Sequence, residues 1–231
     1  MEQEDGTIPA GEYVITARSL DEYRAMFGLE DGQVRGRILD CPGGGSSFAA
    51  EAGVLGAEVI AVDPVYAMGG ERLRREVLGA IENTGWATAH PERFVWDFYG
   101  DIAGHQAIRE RAAARFLADL DSNPRRYRAG LLPELDFPDA HFDLVLSSHL
   151  LFTYADRLDY DFHLAALREL LRVSAGQVRV FPLVDYLGGS CEDLIDALSL
   201  DLAADGVRAE RVPVEFEFQH GATSMLRLRR G

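Results

Sequence analysis

The chain has 231 residues, 47% hydrophobic and 26% charged, a composition of globular proteins and a length that buries a core without disulfides or structural metal. All 23 basic residues are arginine, and 38 acids against them leave a formal charge of −15. With no lysine, Schiff-base chemistry, Gly-Lys-Ser/Thr phosphate loops and kinases are excluded; the acidic balance disfavours nucleic acid and makes a small molecule the default partner.

In chain order, Ser19-Leu-Asp-Glu22 matches a capping box and predicts a helix running to about Gly28. Residues 36–40 (GRILD) read as a short strand, 46–56 as an alanine-rich helix and 57–63 (AEVIAVD) as a second buried strand. Strand, glycine turn, helix and strand within about 30 residues make a βαβ unit with parallel strands. The pattern over 70–121 is helical, with breaks at Gly85, Pro91 and Gly104 and the aromatic cluster Phe94, Trp96, Phe98 and Tyr99 in the middle. This is longer than a crossover needs.

Further strands are expected at 126–131, 142–148 and 177–184, with helices at 159–173 and 191–204. Residues 207–219 and 222–229 alternate apolar with polar around His220-Gly221, which predicts an antiparallel hairpin on the sheet edge. The acidic start MEQEDGTIPAGEY has no apolar run, and no segment offers the roughly 18 apolar residues of a membrane span. Cys41 and Cys191 form no CxxC. A reducing cytoplasm fits them best.

The informative segment is Ile38-Leu-Asp-Cys-Pro-Gly-Gly-Gly-Ser-Ser-Phe48, followed 23 residues after Asp40 by Asp63 at the end of the next strand. A glycine turn lets backbone amides approach a ligand, and an acid ending the second strand can accept both hydroxyls of a ribose. Together they describe a nucleoside-containing cofactor. Phe48 stands where a GxGxxG fingerprint needs its third glycine, and Asp40 suits an amine better than two phosphates.

On these residues the chain resembles the class I, Rossmann-like, S-adenosylmethionine-dependent methyltransferases. Asp40-Cys-Pro-Gly-Gly-Gly-Ser46 is similar to their Asp/Glu-x-Gly-x-Gly-x-Gly, with Pro42 and Ser46 departing from it, and residues 137–152 are similar to their fourth strand and its lead-in. The resemblance implies a doubly wound, mostly parallel seven-stranded sheet with helices on both faces, forming a single methyltransferase domain over 1–231 with a helical insertion or lid at about 70–125. It implies S-adenosyl-L-methionine as cofactor and S-adenosyl-L-homocysteine as product. Gly43, Gly44 and Gly45 beside Pro42 would line the methionine end, and Asp40 would organise the loop and the amino group. Asp63 would hold the ribose, with Pro64 and Val65 beside ribose and adenine, Leu131 and Leu132 against the adenine, and Ser147 and Ser148 at the fourth strand end.

Ligands of doubly wound sheets lie outside the carboxyl ends of the strands. This places His149, Tyr154 and Asp185 near the transferred methyl, with His149 the best base for a hydroxyl or carboxyl acceptor because imidazole ordinarily titrates near neutrality. No HExxH, paired-carboxylate metal set or GxSxG occurs, so no metal site is expected. Two other readings stay open: an NAD- or nucleotide-sugar-dependent Rossmann enzyme, and a non-catalytic S-adenosylmethionine-binding module. Each residue also has a plainer role, Asp63 as a strand terminator, His149 as a core histidine and the aromatic cluster as packing.

Overall fold

The structure, a computed structural model, describes residues 13–82 and 90–231. The expected break at Gly85 and the acidic stretch before Tyr13 lie outside the described residues. Helix α1 (Leu20–Phe27) starts as its sequence predicts: the Ser19 side chain accepts from the Glu22 amide, the Glu22 carboxylate accepts from the Ser19 amide at 2.8 Å, and Gly28 ends the helix at φ +55°. Strand β1 (Arg37–Asp40) leads through the glycine turn into α2 (Phe48–Val54), and β2 (Glu58–Val62) pairs parallel to β1.

The long crossover differs from its predicted helical pattern. Among the described residues it contains α3 (Gly70–Glu82), α4 (Ile102–Ser122) and 3-10 turns at Pro64–Met68, Pro91–Arg93 and Pro124–Arg126, while the aromatic residues 94–99 lie in irregular chain. The expected break at Gly104 is a helix start instead. Asp101 caps α4 by accepting from the Gly104 amide at 2.7 Å, and a side chain at 104 would collide with the Tyr99 carbonyl.

The remaining elements are β3 (Tyr127–Arg128), β4 (Phe142–Ser148), α5 (Tyr160–Val173), β5 (Ser174–Phe181), α6 (Glu192–Ala204), β6 (Val207–Pro213) and β7 (Ser224–Arg230). β3 is shorter than expected, and β5 ends earlier, where Pro182 has no amide for the ladder. The seven strands run in the order β3-β2-β1-β4-β5-β7-β6. β7 enters antiparallel between β5 and β6, so the predicted hairpin is present but its first arm, β6, forms the edge.

Its arms also part sooner than the alternation suggests. Residues 214–223 leave the sheet, and Phe216 and Phe218 turn onto the aromatic segment, where the Val95 amide donates to the Phe218 carbonyl at 2.7 Å. β1 is buried on both faces: Ile38 packs with α1 and α2, whereas Leu39 packs with α5 and α6. The register Asp40↔Ala61, Asp40↔Leu146 and Ser148↔Phe181 brings the carboxyl ends of β1, β2, β4 and β5 to one side. A cavity of about 700 Å³ opens there.

Candidate functional site

The floor of this cavity is two strand ends tied together through backbone. Gly43 donates to the Val62 carbonyl at 3.0 Å, and Gly44 donates to Asp63 Oδ2 at 2.9 Å. Asp63 Oδ1 accepts from the Val65 amide at 3.0 Å, and the Tyr66 hydroxyl donates to the Gly44 carbonyl at 2.9 Å. Two glycines are required by this geometry. A Cβ on Gly43 would lie 2.6 Å from the Tyr66 hydroxyl and 2.9 Å from the Ala61 Cβ, and Gly44 has φ +52°.

Of the predicted cofactor residues, Pro42, Gly43, Gly44, Asp63, Pro64, Val65, Leu131, Leu132 and Ser148 line the cavity. Burial raises the Asp63 carboxyl, although the Val65 and Gly44 amides oppose the shift. Each of its oxygens already takes one amide, and a carboxylate has about four lone-pair positions, so acceptor capacity remains toward the cavity.

Asp40, Gly45 and Ser147 do not line it. The Asp40 side chain turns from the strand into the layer beneath, where its Oδ1 accepts from the Tyr23 hydroxyl at 2.9 Å and its Oδ2 has no partner among the described residues. Burial pushes its carboxyl up to about 8, despite the Tyr23 hydroxyl, with Asp63 adding to the rise. The shift favours the neutral acid near neutrality, and the side chain meets Tyr23 rather than the cavity. Gly45 packs against Val77 and Ile15, and the Ser147 hydroxyl is buried with no partner among the described residues.

His149 and Tyr154 both face the cavity, whereas Asp185 does not. The Asp185 carboxylate folds back on its own loop, accepting from the Leu187 and Gly189 amides at 2.8 Å each. His149 has the left-handed φ of +52°, unusual for a side-chain-bearing residue, and its Nδ1 lies 2.8 Å from the Ser148 hydroxyl. Burial, then the charges of Arg18 and Arg109, hold its pKa well below the ordinary histidine range. It is a neutral imidazole rather than one poised at pH 7. The Tyr154 hydroxyl accepts from the Val14 amide at 3.0 Å and its pKa is raised by burial, so it fastens the segment 13–18 over the cavity rather than acting as a base.

The opposite wall was not foreseen from sequence. Glu22 Oε1 accepts from Arg109 Nη1 at 2.6 Å and from the Tyr99 hydroxyl at 2.7 Å, and Arg109 also donates to the Ala17 carbonyl at 2.7 Å and, through Nε, to His105 Nε2 at 3.2 Å. Glu22 is fully buried. Burial alone would raise its carboxyl, but Arg109 and Arg18 leave it lowered; His105 is pushed down to about 3 by burial and then by Arg109. The spacing of His105 and Arg109, four apart on one helix, was the available signal. Their partner Glu22 is some 80 residues away and already accounted for by its capping box.

Phe94, Phe218 and Gln219 complete this wall, with the Phe94 and Phe218 rings stacked at 4.7 Å and His105 stacked on Phe218 at 5.0 Å. Trp96, Phe98 and Tyr99 pack behind them and do not reach the cavity.

No family model matches the chain. It is similar to the uncharacterized protein MJ0045 of Methanocaldococcus jannaschii, 27% identical over 219 residues that cover 94% of this chain and 96% of that one. Among solved structures it is similar to magnesium protoporphyrin IX methyltransferase of Synechocystis PCC 6803 with bound SAM (TM-score 0.49, 12% identity, 92% of this chain and 78% of that one). It is also similar to 1,6-didemethyltoxoflavin-N1-methyltransferase of Burkholderia thailandensis (TM-score 0.41, 17% identity, 85% and 72%). A third is a TehB-like SAM-dependent methyltransferase of Corynebacterium glutamicum (TM-score 0.44, 15% identity, 87% and 86%).

Proposed function

We propose that the chain is an S-adenosylmethionine-dependent methyltransferase that transfers a methyl group to oxygen or nitrogen of a small molecule. The observation that carries this reading is the floor: a glycine cradle that a Cβ would fill, tied to an acid at the end of the neighbouring strand, under a cavity at the strand ends. In it, Asp63 would hold the ribose hydroxyls, Gly43 and Gly44 would pass beneath the amino-acid portion, and Pro64, Val65, Leu131 and Leu132 would enclose the base. The bound cofactor supplies a methyl group on a sulfonium, already activated for in-line displacement.

The chain's task is then alignment, exclusion of water and removal of a proton where the acceptor carries one. Phe94, Phe218 and the Tyr154-anchored segment 13–18 close the cavity to water, and we assign 70–125 as an insertion in a single domain whose aromatic part acts as a lid. His149, neutral and aligned by Ser148, takes the proton. We place the protein in the cytoplasm, on its two buried unpaired cysteines, with no nucleic-acid partner.

Against a dinucleotide stands Phe48 at the third glycine position, whereas Asp40, which does not line the cavity, bears on it less than expected. At the α2 N-terminus, where a diphosphate would sit, two amides are already engaged: the Ser47 amide donates to the Arg18 carbonyl at 2.9 Å and the Phe48 amide to the Ser46 hydroxyl at 3.1 Å. Calorimetric titration with S-adenosylhomocysteine and with NADH tests the choice. Micromolar binding of the former, roughly 8 kcal/mol, is expected; NADH binding with no heat from S-adenosylhomocysteine overturns the reading.

A further inference from the structure

The cavity wall holds a second arginine, and the charge of Glu22 acts on it as well as on Arg109. Arg18 lies on segment 13–18, its carbonyl fixed by the Ser46 hydroxyl at 3.0 Å and the Ser47 amide at 2.9 Å, and its side chain lines the cavity. Among the described residues its guanidinium has no hydrogen-bond or ion-pair partner, whereas Arg109 on the same wall is bound to Glu22 at 2.6 Å.

The nearby acids make their contacts elsewhere. Glu22 accepts from Arg109, Tyr99 and Ser19, and Asp63 from the Gly44 and Val65 amides. Asp40 accepts from the Tyr23 hydroxyl. Arg18 lines the cavity together with His105, His149 and Tyr154, and its charge acts on all three. A planar donor fork exposed to an otherwise apolar cavity matches a carboxylate, which it can bind with two parallel hydrogen bonds.

We propose that Arg18 is a carboxylate anchor, binding a ligand's carboxylate inside the cavity beside His149. Resting on the methyltransferase reading, it has two sources for that group: the amino-acid end of the cofactor, or an acid acceptor with an apolar body.

Arg18→Met and Arg18→Gln separate them. Wild type and variants are titrated with S-adenosylhomocysteine and with 5′-methylthioadenosine, which lacks the amino-acid carboxylate. They are then titrated, saturated with S-adenosylhomocysteine, with 1-naphthoate and with its amide. The wild type is expected to prefer one carboxylate-bearing member of a pair at least tenfold, and both variants to lose that preference.

Loss confined to the first pair assigns the carboxylate to the cofactor, and loss confined to the second assigns it to the acceptor. With no partner to lose, the unliganded variants should melt at or above the wild-type temperature. A variant that melts lower, or one that keeps both preferences, overturns the proposal, as does a wild type with neither preference. Wild-type protein that binds both nucleosides equally and shows no acid preference refutes the anchor alone; binding neither nucleoside refutes the methyltransferase reading as well.

Discussion

The floor and the far wall of the cavity are built by opposite means. The floor joins residues 40–48 to 61–66 through main-chain groups and one carboxylate, close in sequence and held by parallel strand pairing. The wall joins Glu22, Tyr99, His105 and Arg109 through side chains, in a buried ion pair with every strong acceptor used. A floor of backbone can be reused for one ligand across many sequences. A wall of charged side chains depends on the particular sequence.

The contrast is sharpest in stability. Removing one member of a buried pair leaves the other charge uncompensated, so Glu22→Gln or Arg109→Met should destabilise by about 3–5 kcal/mol, which for a chain of this size lowers the melting temperature by roughly 6–20 °C. The double variant should cost much less than the sum. Additive losses in a thermal melt would mean that the two residues act separately.

His149→Ala, with an acceptor that must lose a proton, should lower kcat by about 10²-fold or more while cofactor affinity holds. Because burial, Arg18 and Arg109 depress its pKa, the imidazole stays unprotonated as pH falls through the ordinary histidine range. The wild-type kcat should therefore stay level from pH 8 to about 6, whereas a free histidine with pKa near 6.5 would already lose rate there. A kcat profile falling through 6.5 would contradict this environment.

On the floor, Asp63→Ala should weaken S-adenosylhomocysteine at least tenfold. It should also cost about 1–3 kcal/mol of stability, since the Gly44 and Val65 amides lose their acceptor. Full stability with weakened binding would show that water replaces the carboxylate there.

The remaining effect concerns Asp40. Its folded pKa of about 8 lies above the unfolded value near 3.9, so its favourable contribution is complete below the unfolded value and is lost as pH rises through 8. Asp40→Asn, which can still accept from Tyr23, should remove that loss. Melting curves at pH 6 and pH 9 should fall less for the variant than for wild type; equal falls would place the Asp40 titration elsewhere.

The sequence was legible where chemistry follows local spacing. The capping box and the βαβ unit each have their partners within about 30 residues, and each sits where it was expected. What failed depended on side-chain direction. Asp40 ends a strand buried on both faces, so its position in the motif did not say that it would face Tyr23 rather than the ligand. Asp185 found closer partners in its own loop. The aromatic segment read as helical because its polar partners are backbone groups of the 214–223 loop, more than 100 residues on, and neither stretch carries that pairing in its composition.

The central claim is that Asp63 and the Gly43-Gly44 turn hold a nucleoside with an amino-acid end, and a crystal structure of the S-adenosylhomocysteine complex tests it most directly. The account predicts both ribose hydroxyls on the Asp63 carboxylate, the base between Val65 and Leu132, and the amino-acid portion running over Gly43 and Gly44 toward His149. A ribose bound away from Asp63, or a nucleoside lying outside the strand ends altogether, would contradict it.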